Sequence, residues 1–130
     1  MGACYSVILK VKLTDEEGAI KALQDHIAND NGVDYSLEKY AQQGITTETF
    51  DDLMRIFLAG WKGQEVDIYP NKTFTIYEND FDASYGWEGV MMEMFEVIAP
   101  FVANGSKLQI YPDDYYTELV VKNEKCVQTH

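Results

Sequence analysis

At 130 residues, with 46% apolar and 13% aromatic content, the chain is long enough for one packed domain and too apolar to be disordered. Its 22 acids against 10 bases give a formal net charge of −12. That balance disfavours direct binding to nucleic acid or to an anionic membrane surface, both of which need a cationic footprint, and favours a basic protein partner.

In chain order, Tyr5, Val7, Leu9, Val11 and Leu13 alternate with polar positions that include Lys10 and Lys12, the pattern of a half-buried strand. The same two lysines interrupt any signal-type apolar core, and no run approaches the roughly 20 apolar residues of a membrane span, so the expected setting is cytoplasmic. Thr14 and Glu17 have the spacing of a capping box and open a helix through Ile20, Leu23 and Ile27, which ends in the turn-rich Asn29-Asp30-Asn31-Gly32. Residues 33–45 are the least legible, with a short helix at Leu37–Gln42. Thr46 or Thr47 then caps a second main helix over about 48–60.

Gln64–Tyr69 and Lys72–Glu78 read as a hairpin, with Val66, Ile68, Phe74 and Ile76 inward and Asp67, Tyr69, Thr75 and Tyr77 outward. Residues 78–88, ENDFDASYGWE, read as an acidic, turn-prone loop whose Ser84 caps the third main helix. Trp87, Val90, Met91, Met94, Phe95, Ile98 and Val102 form one face of that helix, and Pro100 should kink or end its last turn. After Gly105, Leu108 and Ile110 alternate with Gln109 and Tyr111, Pro112-Asp113-Asp114 turns the chain, and a last short strand is expected at Cys126–Gln128.

Two segments resemble each other. Gly63, Val66, Ile68, Tyr69 and Pro70 stand forty-two residues before Gly105, Leu108, Ile110, Tyr111 and Pro112, and the preceding helices match at an offset of forty-one. The expected architecture is therefore α+β: a two-layer sandwich in one domain, with five or six antiparallel strands and helices on one face. It is built on helix–strand–turn–strand units at 46–79 and 87–121.

For chemistry, Asp80, Asp82, Ser84 and Gly86 miss calcium-loop spacing, since the glycine falls seventh and Met91 holds the twelfth place. Two histidines, His26 and the terminal His130, do not make a zinc site, and Cys4 and Cys126 lack metal spacing and a predictable base. With no nucleophile elbow, phosphate loop or dinucleotide fingerprint, the expectation is a non-enzyme with no cofactor and no metal. The sharper signal is charge: from Glu78 to Glu118, nine acids stand against one base, Lys107, interleaved with tyrosines. Carboxylates spaced along loops can imitate a phosphate backbone while tyrosines anchor the contact. The candidate partner-binding residues are Glu78, Asp80, Asp82, Tyr85, Glu88, Tyr111, Asp113, Asp114 and Tyr115.

The stretch GWEGVMMEMFEVIAPFVANGSKLQIYPDD, residues 86–114, resembles segments of small acidic proteins carried by phages and other mobile elements of Gram-positive gut bacteria. That group includes anti-CRISPR inhibitors. The resemblance implies a stoichiometric inhibitor that sequesters a basic nucleic-acid-handling protein or ribonucleoprotein, such as a CRISPR effector. It assigns no residues. The alternative is a structural or assembly module that forms a homodimer through a tyrosine-rich sheet face.

Overall fold

A computed structural model describes residues 2–29, 36–59, 66–84, 86–111 and 116–130. The strands are β1 (Gly2–Val11), β2 (Asp67–Tyr69), β3 (Thr75–Ser84), β4 (Lys107–Tyr111), β5 (Thr117–Lys122) and β6 (Lys125–Gln128). The helices are α1 (Glu16–Ala28), α2 (Leu37–Gln42), α3 (Phe50–Phe57) and α4 (Trp87–Ile98). All the strands join one antiparallel sheet in the order β2-β3-β1-β4-β5-β6. This is the two-layer α+β sandwich that the alternation of strand and helix periods implies.

The alternation along β1 sets the inner face. Tyr5, Val7, Leu9 and Val11 are buried, and across the strands they continue into Tyr77 and Phe81 of β3, Leu108 and Ile110 of β4, and Leu119 and Val121 of β5. The helices cover this face with Ala19, Leu23 and Ile27 of α1, Phe50, Leu53, Met54 and Phe57 of α3, and Trp87, Met91, Met94, Phe95 and Ile98 of α4. β5 and β6 join through Asn123 and Glu124, both at positive φ (54° and 65°), the backbone of a tight hairpin turn.

Helix ends depart from the sequence reading by one to several residues, because the side chain that reaches the free N–H groups decides the start. Asp15, not Thr14, caps α1 by accepting from the Gly18 N–H at 2.9 Å. Thr49, rather than Thr46 or Thr47, caps α3 in a capping box with Asp52. α4 has no side-chain cap; it starts after Gly86 at φ 95°, while the backbone of Ser84 still belongs to β3. α2 has the expected bounds. As expected, the helix ends at Pro100, which lies in a one-turn 3-10 helix, Ala99–Phe101, directly after Ile98; Val102, expected on the helix face, is instead extended and bridges to Leu13.

The larger correction concerns β3. The segment read as an acidic loop from Glu78 to Ser84 is strand, paired residue by residue with β1 from Val11↔Thr75 to Gly2↔Ser84. Its phase is also opposite to the expected one: Tyr77, Phe81 and Ala83 are buried, while Ile76, Glu78, Asp80 and Asp82 lie on the other face. A one-residue change of phase moves every side chain of a strand across the sheet. Tyr77 can be inside because its hydroxyl donates to Asp51 at 2.6 Å and its ring meets Phe50 edge-on. Burial, then the bond to Asp51, raises the Tyr77 pKa well above the ordinary tyrosine value.

Polar groups tie the layers together where the end of α3 leaves carbonyls unpaired. The Trp87 indole N–H donates to the Phe57 carbonyl and the Asn79 amide to the Leu58 carbonyl, each at 2.9 Å. A helix followed by two antiparallel strands occurs twice, in α3-β2-β3 and α4-β4-β5. The two units are nevertheless not placed equivalently, since the pairings run β2 in the direction of β1 and β4 against it. Gly63 and the turn Pro112-Asp113-Asp114 lie outside the described residues.

α1 meets the turn after α4 closely at Gly18. A Cβ there would fall 2.8 Å from the Phe101 ring and 2.5 Å from the Asp15 carboxylate. Gly18→Ala is therefore expected to lower stability by about 1–2 kcal/mol, overpacking outweighing the alanine's better helix propensity. A denaturant melt in which the variant matches or exceeds wild type would remove this contact from the account.

Candidate docking face

The sheet's other face carries the candidate site. Cross-strand register sorts its side chains into rows, because residues directly opposite on neighbouring strands point the same way. From β2 to β6 one row reads Tyr69, Ile76, Lys10, Lys107, Val120 and Val127. The next reads Asp67, Glu78, Ile8, Gln109 and Glu118. A third reads Asp80, Ser6 and Tyr111, and a fourth Asp82 and Cys4. Glu78, Asp80 and Asp82 thus recur every second residue along β3, about 6.7 Å apart, with Asp67 beside Glu78.

These carboxylates are anchored by their neighbours on β1. Ser6 Oγ donates to the Asp80 carboxylate, and Cys4 Sγ donates to that of Asp82 at 2.8 Å. Between β2, β3, β1 and β4 lies a shallow depression of about 420 Å³, lined by Ser6, Val7, Ile8, Asp67, Glu78, Asn79, Asp80 and Tyr111. The described large apolar side chains with the greatest exposure are Tyr69 (52%), Tyr111 (40%) and Val127 (39%), all on this face.

The third row continues as a stack of rings. Tyr111 and Tyr116 lie 4.8 Å apart and nearly parallel, and His130 follows Tyr116 at 4.9 Å. Glu118 fixes Tyr116 from below. It accepts from the Tyr116 hydroxyl at 2.6 Å, from Gln109 Nε2 at 2.7 Å and from Thr129 Oγ1 at 2.6 Å. Those donors, Thr129 first and then Tyr116 and Gln109, hold the Glu118 carboxyl down to about 2. Desolvation and the bond to Glu118 push the Tyr116 phenol up to about 12. Tyr116 is thus a neutral phenol buttressed by an ionised carboxylate.

The pH consequence follows from the sign of the shift. A carboxyl held at about 2 when folded, against an ordinary 4.5, contributes stability that is full above pH 4.5 and lost as pH falls toward 2. Glu118→Gln should lower stability at pH 7 and show a flatter decline between pH 4.5 and 2. Parallel acid curves for the two proteins would contradict this network.

Of the residues expected to bind a partner, Glu78, Asp80, Asp82 and Tyr111 are brought together here. Glu88 is not: on α4, across the sheet, it accepts from the buried Thr117 hydroxyl at 2.6 Å. Tyr85, Asp113, Asp114 and Tyr115 lie outside the described residues. Asp67, Tyr69 and Tyr116 join the face without having been singled out as partner-binding, the first two through the register of β2 on β3 and Tyr116 through its stacking on Tyr111.

Among the described residues no group of three or more His, Cys, Asp or Glu could hold a metal ion. Cys4 is on the open face and Cys126 is half-buried against the core on the edge strand β6, so they are on opposite faces and three strands apart. Burial and Glu96 push the Cys126 thiol up to about 11, which keeps it an unreactive thiol at neutral pH. Among the described residues no helix is long and apolar enough to cross a membrane. Compared with protein-family models, with curated proteins and with solved structures, the chain matches none.

Proposed function

We propose that the protein is a stoichiometric binding module whose open sheet face docks onto a basic surface of a nucleic-acid-handling protein in the cytoplasm, a CRISPR effector being one such target. The observation that carries this reading is the carboxylate line Glu78-Asp80-Asp82 on the outward side of β3, flanked by Asp67 and by the Tyr111–Tyr116 stack. Its spacing of about 6.7 Å is two base steps of the 3.4 Å rise per charge on one DNA strand, so it offers roughly half that linear charge density. Strand geometry holds the charges in place before any partner arrives, which limits the ordering cost of binding. Rigid tyrosines beside the acids supply contact area at low entropic cost, while the charge steers the encounter.

The test is affinity capture from a nuclease-treated bacterial lysate that expresses CRISPR effectors, followed by stepwise salt elution and mass spectrometry. The control bait carries Asp67→Asn, Glu78→Gln, Asp80→Asn and Asp82→Asn. Nucleic-acid-binding proteins retained at low salt by the wild type alone, and released as salt rises, are the expected result. Identical captures by both baits would sink the proposal.

A further inference from the structure

The open face is not uniformly acidic. Lys10 and Lys107 are paired across β1 and β4, and Lys122 and Lys125 are paired across β5 and β6 on the same side as Val120 and Val127. The acids Glu78, Asp80 and Asp82 run the other way along β3, with Asp82 six residues from the row that holds Lys10. At about 3.3 Å per residue Glu78, Asp80 and Asp82 stand about 7, 13 and 20 Å from that row, so the centre of the acidic pole lies beyond the screening length of about 8 Å in physiological salt.

Among the described residues neither pole makes an ion pair, although Glu118 feels the charge of Lys107. Among the described residues the ion pairs are Lys21–Asp25 and Arg55–Asp52, both within helices of the other layer. Lys10 instead sits over the Phe74 ring at 5.2 Å. The exposed apolar side chains spread across the same face, Tyr69 and Val127 in the lysine row and Tyr111 in the row of Asp80. A surface with one acidic and one basic end is complementary to itself under a two-fold rotation, the symmetry of an isologous dimer. A homogeneous acidic face would repel its own copy.

We infer that a second copy of this chain packs face to face on the open sheet, its Lys10 and Lys107 pole over the Glu78-Asp80-Asp82 pole of the first, and the reverse at the other end. The apolar residues beside each pole, Tyr69 and Val127 in the lysine row and Tyr111 in the Asp80 row, leave water as the poles meet. This dimer does not depend on the cationic partner proposed above. Where both bind, they compete for the same carboxylates, and the dimer stores the docking face in a covered form.

Charge swapping tests this with the full chain. Sedimentation velocity is run on wild type, on Lys10→Glu/Lys107→Glu, on Asp80→Lys/Asp82→Lys, and on an equimolar mixture of the two variants. The wild type should sediment as a dimer at tens of micromolar. Each variant alone, now carrying like charge at both poles, should dimerise at least about tenfold more weakly. The mixture should restore a one-to-one heterodimer, which also shows that both variants are folded. A monomeric wild type, variants that still dimerise alone, or a mixture that stays monomeric would each overturn the inference. The lysine variant also separates the two proposals: it keeps the acidic line, so it should lose the dimer while retaining a cationic partner.

Discussion

Asp80→Lys/Asp82→Lys is expected to weaken binding to the captured partner by about a hundredfold or more. Each reversal removes an attraction and adds a repulsion in a face where the charges are fixed by strand geometry, and like-charge juxtaposition costs several kcal/mol across an interface. Most of the loss should appear as slower association at low salt, because the same charges steer the encounter. The fold should tolerate both changes. Asp80 and Asp82 are exposed, and each gives up one side-chain bond, to Ser6 and Cys4 respectively. Surface plasmon resonance over a salt series reads the effect. An association rate unchanged from wild type would take these two carboxylates out of the docking face.

The largest effect on stability is expected at Trp87. Its ring is buried at the start of α4, and its indole N–H satisfies the Phe57 carbonyl at the end of α3, joining two helices. Trp87→Ala removes the ring, leaves a cavity and orphans that carbonyl, for a loss of about 3–5 kcal/mol. Since whole domains are stable by only about 5–15 kcal/mol, this variant should unfold at a much lower denaturant concentration. Trp87→Phe keeps most of the apolar volume and loses the bond, so its smaller deficit isolates the hydrogen bond. Equal midpoints for wild type and Trp87→Ala in urea would contradict the packing of α3 against α4 described above.

Where local periodicity decides, the sequence was informative. The alternation of Tyr5, Val7, Leu9 and Val11 against Lys10 identified the central strand and its buried face, and α2 was expected at its observed bounds. β3 departs from the sequence expectation for a specific reason. Phe74 and Ile76 look like core residues, and assigning them inward forces Tyr77 out and ends the alternation at the acids. The strand resolves the conflict the other way: Tyr77 is buried because Asp51 receives its hydroxyl, and Phe74 stays on the outer side under Lys10. Asn79, Phe81 and Ala83 then continue the inner pattern, and the intervening acids are the outer one. Composition had marked residues 78–82 as loop, when their strict alternation with Asn79 and Phe81 was a strand signal.

The site was legible only in part, because it is assembled from different strands. Glu78, Asp80 and Asp82 could be grouped from one segment. The depression, the Tyr111–Tyr116–His130 stack and the lysine pole depend on which strand lies beside which, and β1, first in the chain, sits between β3 and β4. No local pattern reports that order. Glu88 entered the expected array through proximity in sequence, whereas α4 carries it to the helical side of the sheet, where Thr117 binds it.

The central claim is that one face, rather than the overall charge of −12, makes this protein a binding module. The most direct measurement compares three immobilised baits in the same lysate: wild type, Asp80→Lys/Asp82→Lys on the sheet face, and Glu93→Lys/Glu96→Lys on exposed positions of α4. Both variants change net charge equally, and lysines late in α4 suit the helix dipole. Partner capture that survives the helix substitutions and is lost with the sheet substitutions is the predicted result. Equal loss in both would show that bulk charge, and not the open face, holds the partner.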